Sequence, residues 1–150
     1  DSTAGLYQGY LQLAGVLPSL LLAPFIKRLG SLRRLCLGAT SLTFLSLLGF
    51  LLIPTWSGVW SVCFGFGVSM AFILGMSFVS VRTNTPKQAA ALSGMAQLIG
   101  YTLAAIGPVL IGALHDWHYS WNPPLYAFLC ITLLWIILGW LASPKPSSQA

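Results

Sequence analysis

Ser93, Gln97 and Tyr101 recur at every fourth position of a long apolar stretch. On a helix that spacing sets a hydroxyl, an amide and a phenol along one face. The three groups can donate and accept hydrogen bonds without carrying charge. Gln97 stands roughly 12 Å into its helix at about 1.5 Å per residue, near the middle of a bilayer. Gln12, with Gln8 and Tyr7, offers the same chemistry from another stretch. Two readings of these amides are open: they line a solute cavity, or they bond neighbouring helices together. Inside a membrane each polar group needs a partner in either case.

Other chemistries find little support. No Asp or Glu lies inside any apolar run, so no carboxylate proton carrier is in view. His115, Asp116 and His118 lack the further ligand that a metal site needs, and read as a polar loop. Cys36, Cys63 and Cys130 lie in separate apolar runs without C-x-x-C spacing, as small packing residues do. There is no nucleophile–base pair and no phosphate-cradling loop. The reading is therefore a non-enzyme with no cofactor and no metal.

The elements that position these residues follow from composition. The 150 residues are 57% hydrophobic and only 6% charged, whereas soluble domains carry about a quarter charged residues. So few charges cannot hydrate the surface of a globule, and lipid is the alternative solvent. The net charge of +5 does not point to nucleic acid, because the basic residues form short clusters between apolar runs rather than one dense face.

A membrane-crossing helix needs about 20 mostly apolar residues. Five segments qualify: Gly5–Ile26, Leu35–Ile53, Ser57–Val81, Ala89–Leu114 and Leu125–Leu141. The expected fold is all-α and polytopic over residues 1–143, with a tail at 144–150. Pro54 to Gly58, Thr85-Pro86 and Asn122-Pro123-Pro124 mark the joints, the last two as caps followed by proline in the first turn. All seven basic residues (Lys27, Arg28, Arg33, Arg34, Arg82, Lys87 and Lys145) then fall on one side. Cytoplasmic loops collect Lys and Arg, so the C-terminus is expected inside and the first residue outside. Trp56, Trp60, Trp117, Tyr119 and Trp121 gather at the outer ends, where amphipathic rings favour the interface. An outer start with no signal peptide and no initiator Met suggests that at least one helix precedes this chain.

The spans differ in what they offer. The second and fifth are the most apolar and read as lipid-facing support. The first, third and fourth are rich in small residues that allow close helix packing, among them Gly5, Gly9, Gly65, Gly67, Gly94, Gly100 and Gly112. Gly107-Pro108 interrupts the fourth span and predicts a bend, because proline removes a helix hydrogen bond.

The run from Arg82 through Ala89-Ala90-Ala91-Leu92-Ser93-Gly94-Met95-Ala96-Gln97, followed by Gly100-Tyr101, Gly107-Pro108 and Leu114-His115-Asp116, resembles the major facilitator superfamily. It is closest to the cyanate/nitroimidazole transporter branch. The resemblance covers essentially the whole chain, as the C-terminal part of such a protein. It implies that the five spans correspond to helices eight to twelve of twelve, with the N-terminal half and helix seven absent. It also implies that helices nine and twelve are peripheral while eight, ten and eleven border the central cavity. Arg28, Gly30, Arg33 and Arg34 resemble the superfamily's basic loop motif, although Lys27 stands where the motif has Asp.

The expected function is secondary transport of a small organic solute across the bacterial inner membrane by alternating access. Gln12, Ser93, Gln97 and Tyr101 are the expected cavity residues, and Arg82 the expected anchor of the third span's inner end. The expected partners are the small-molecule substrate, the lipid bilayer and the missing half of the polypeptide, with no nucleic acid. The rival readings are a non-transporting fragment or assembly protein and, from another class, an intramembrane enzyme.

Overall fold

Lipid gives a backbone nothing to hydrogen-bond to, so a chain this apolar must close its amide bonds within helices. The computed structural model describes residues 2–21 and 31–143, and these are all-α. The helices are α1 (Ser2–Ala14), α2 (Leu32–Leu52), α3 (Ser57–Arg82), α4 (Pro86–His118) and α5 (Asn122–Ala142). A 3-10 turn at Pro54–Trp56 joins α2 to α3. The four helices α2 to α5 are each long and apolar enough to cross a membrane. The chain is a polytopic membrane protein. At 33 residues α4 is the longest, about 50 Å at 1.5 Å per residue, well beyond a hydrocarbon core of about 30 Å.

The first expected span is not one continuous helix. It starts at Ser2 and ends at Ala14, turns at Gly15 and Val16, and is helical again over residues 17–21. Pro18 has no N–H for the Ala14 carbonyl, so the α-helical ladder lapses there. Tighter bonds replace it, from Val16 N to Leu13 O (3.1 Å) and from Ser19 N to Val16 O (3.2 Å). Arg28 and Gly30 of the basic loop motif, with Lys27, lie outside the described residues, as does the tail from Pro144.

Helix α3 is the hub. α1 runs alongside it in the same direction, with Leu11 against Gly65 and Gly15 facing Ser69. At Gly65 an added Cβ would overlap the Leu11 backbone, so only glycine permits this approach. α2 returns antiparallel on another side, where a Cβ at Gly67 would stand 2.5 Å from Thr43 Oγ1. α5 lies antiparallel to α2, with Gly139 next to Cys36. The core formed by these contacts holds Leu35, Cys36, Ala39, Met70, Ala71 and Leu74. Buried hydroxyls bond back to their own helix: Thr40 Oγ1 donates to Cys36 O (2.8 Å), Thr43 Oγ1 to Ala39 O (3.0 Å) and Ser46 Oγ to Leu42 O (2.7 Å). Each is satisfied without a partner helix.

This packing reverses one expectation. α2, read as lipid-facing support, buries eight residues from Leu35 to Gly49, because its Ala, Thr, Ser and Gly side chains let α3 approach. α4, read as a packing helix, buries none.

Candidate functional site

The site is built on α4, whose start is fixed by local hydrogen bonds. Thr85 is extended (φ −134°, ψ 150°), and its side chain accepts from Gln88 N at 3.3 Å. Gln88 Oε1 in turn accepts from Asn84 N at 3.1 Å. The first bond satisfies one of the amide groups that a helix start leaves free, the second ties the residue before the cap to the first turn, and Pro86 needs no partner. The start of α5 is different: Trp121 is its cap, and Asn122 lies in the first turn with its N–H on Ser120 Oγ (3.3 Å).

From that fixed start the fourfold spacing carries through. Ser93, Gln97 and Tyr101 line one cavity of about 440 Å³ between α3 and α4, together with Phe72 and Met76 from α3 and Trp135 from α5. Ser93 Oγ donates to Met76 Sδ at 3.8 Å, a weak bond across the gap. Gln97 and Tyr101 are exposed, and among the described residues their side chains have no hydrogen-bond partner. The lining is uncharged. It offers an amide, a phenol, a hydroxyl, a thioether and two further aromatic rings, which suits a small flat molecule with one or two polar substituents. Among the described residues no three His, Cys, Asp or Glu side chains could hold a metal.

The other expected site residues lie elsewhere. Gln12 is exposed on α1 and does not line this cavity; α1 packs on α3 through Leu11. Arg82 Nη2 donates to Ala142 O at 2.5 Å, a cation on the negative end of α5. Arg33 lies over the Trp140 ring, 4.5 Å from its centroid. Arg34 is exposed at the same end of the bundle. α4 passes through Gly107 and Pro108 without a break, and Ala104, which lines the cavity, is the residue whose carbonyl loses its usual donor. His115 stacks on Trp121 with centroids 4.2 Å apart, while Asp116 and His118 are exposed.

Sequence reasoning missed Phe72, Met76 and Trp135 as lining. Gly75, which also lines the cavity, was a usable signal, since a glycine beside Met76 opens room next to α4. Trp135 gave none, because α5 is apolar on every side and no position in it stands out.

The chain is 37% identical over 139 residues to a 2-nitroimidazole transporter of Escherichia coli (strain K12), covering 93% of this chain and 35% of the relative. It is 48% identical over 97 residues to a candidate anionic 4-hydroxy-benzoate permease of Thauera aromatica, covering 65% of this chain and 59% of the relative. It is 32% identical over 136 residues to the uncharacterized transporter YycB of Bacillus subtilis (strain 168), covering 89% and 34%. All three are named as transporters or permeases, and the chain spans between about a third and three-fifths of their lengths. No family model matches the chain, and no solved structure does.

Proposed function

We propose that this chain is the C-terminal part of a major-facilitator transporter that moves a small organic solute across the bacterial inner membrane by alternating access. In this reading α1 to α5 are helices eight to twelve, the end bearing Arg33, Arg34 and Arg82 faces the cytoplasm, and the remaining helices of the polypeptide close the cavity from the open side of α4. The observation that carries it is the cavity. Ser93, Gln97 and Tyr101 face one space on a helix long and apolar enough to cross a membrane, uncharged and with hydrogen-bonding capacity to spare.

The substrate is a small planar compound with few polar substituents, of the kind named for the relatives, where a nitroimidazole and a hydroxybenzoate share a flat ring. Tyr101, Phe72 and Trp135 contact the ring, and Gln97 bonds a polar substituent.

Uptake or efflux of labelled 2-nitroimidazole, 4-hydroxybenzoate and cyanate by cells making the full-length polypeptide tests this. Gln97→Ala lowers kcat/KM by about five- to tenfold at equal membrane abundance, the worth of one neutral hydrogen bond. Unchanged kinetics would remove Gln97 from the path. Recovery of the solute chemically altered would favour the membrane enzyme instead.

A further inference from the structure

Arg33 and Arg34 are neighbours on α2, but successive helix positions point about 100° apart. Arg33 is engaged with Trp140. Arg34 is exposed, and among the described residues it has no hydrogen-bond, ion-pair or ring partner. It stands beside a second space, a groove of about 150 Å³ between α2 and α3 that shares no lining residue with the solute cavity.

The groove has a direction. Arg34, Gly38 and Leu42 follow one another at every fourth residue, a stripe about 12 Å long at 1.5 Å per residue that leads from the charged helix end toward mid-membrane. Ala39 and Met70 form its floor, both buried, and Phe66 stands on the far wall. At Gly38 nothing lies within 4 Å of where a Cβ would be, so the surface is notched one turn below the arginine. Everything in the groove below Arg34 is apolar. Asp116, the one acidic residue described, sits at the other end of the bundle, so no carboxylate of the described chain neutralises this cation.

A cation at the end of a membrane-crossing helix, continuous with an apolar slot along that helix, matches an amphiphile and not a soluble anion. Basic pockets between helices at the membrane surface take anionic headgroups on this logic. We propose that α2 and α3 form a binding site for an anionic phospholipid, with the phosphate on Arg34 and an acyl chain along Gly38, Leu42 and Phe66. The site goes beyond the proposed transport and does not depend on which solute the protein carries.

The test uses the full-length polypeptide purified in a neutral detergent, titrated with phosphatidylglycerol while thermal stability is followed. Phosphatidylglycerol raises the melting temperature of the parent protein more than phosphatidylcholine does. Arg34→Gln weakens the apparent affinity about fivefold, the worth of one cation at a membrane surface, and Arg34→Lys retains most of it. Gly38→Phe, which fills the slot but keeps the charge, also loses the preference. It sits on an open surface, so a parent-like melting temperature in phosphatidylcholine marks it as folded. Glycerophosphoglycerol, the same headgroup without chains, gives no shift. Full phosphatidylglycerol preference in Arg34→Gln or Gly38→Phe, or equal stabilisation by the chainless headgroup, overturns the site.

Discussion

Helices α3 and α4 draw on the same small residues and use them in opposite ways. On α3, Gly65 and Gly67 lie against the backbone of α1 and the side chains of α2, with no room for a methyl group. On α4, Gly94, Gly100, Gly107 and Gly112 have nothing within 4 Å of an added Cβ. α3 buries six residues and α4 none. In lipid, small residues promote association only where another helix meets them, since the solvent itself is apolar and does not force them together. A glycine-rich helix is thus a packing hub or a cavity wall according to its neighbours. Here α3 is the hub and α4 the wall.

The sharpest way to break this contrast is to place the same bulk on each helix. Gly65→Leu forces α1 away from α3, because even the first side-chain carbon overlaps the Leu11 backbone. Overpacking of this kind costs about 3 kcal/mol or more, and the full-length variant is expected to lose most of its folded yield by size-exclusion profile. Gly100→Leu projects into the solute cavity, where there is space. It is expected to keep the parent melting temperature while abolishing transport. Equal loss of yield in both variants would show that the two helices are packed alike.

The fold was legible because its causes are local: apolar length, proline and polar joints, and basic residues at one set of ends. The row Ser93, Gln97 and Tyr101 was legible for the same reason, since a fourfold spacing on a helix guarantees a shared face. What could not be read was which helices touch. α2 looked like lipid-facing support because its polar side chains are few, yet Thr40, Thr43 and Ser46 hide their hydroxyls on their own backbone and so pack as if apolar. Gln12 was expected to face the cavity, but which side of α1 faces α3 depends on Gly65, on a different helix. Trp135 entered the cavity from a helix whose sequence has no polar side at all.

A smaller effect separates the charged end of the hub from its apolar middle. Arg82 ties α3 to the Ala142 carbonyl at the end of α5. Arg82→Gln removes the charge at that helix end, worth about 0.5 kcal/mol for an exposed site. The expected result is a slight fall in melting temperature, diminished further by salt, with Arg82→Lys recovering part of it. A loss of all folded protein would mean that Arg82 holds more than the end of α5.

The smallest effect is expected at Thr43, and it tests why α2 packs at all. Its side chain is fully buried, and its hydroxyl donates to Ala39 O, which in a regular helix already accepts the Thr43 N–H. Removing the hydroxyl therefore leaves no carbonyl without a donor. Thr43→Val keeps the shape and exchanges one spare hydrogen bond within its own helix for a methyl group, and even side-chain bonds between membrane helices average only about 0.6 kcal/mol. Gly67 opposite has no side chain to clash with the methyl. Melting temperature and transport should both match the parent within error. Gln97→Ala, at a side chain whose hydrogen bonds the described chain does not satisfy, should leave stability alone and lower transport. If Thr43→Val instead unfolds the protein, its hydroxyl is bonding across to α3, and the α2–α3 contact is a polar lock and not a close fit of small surfaces.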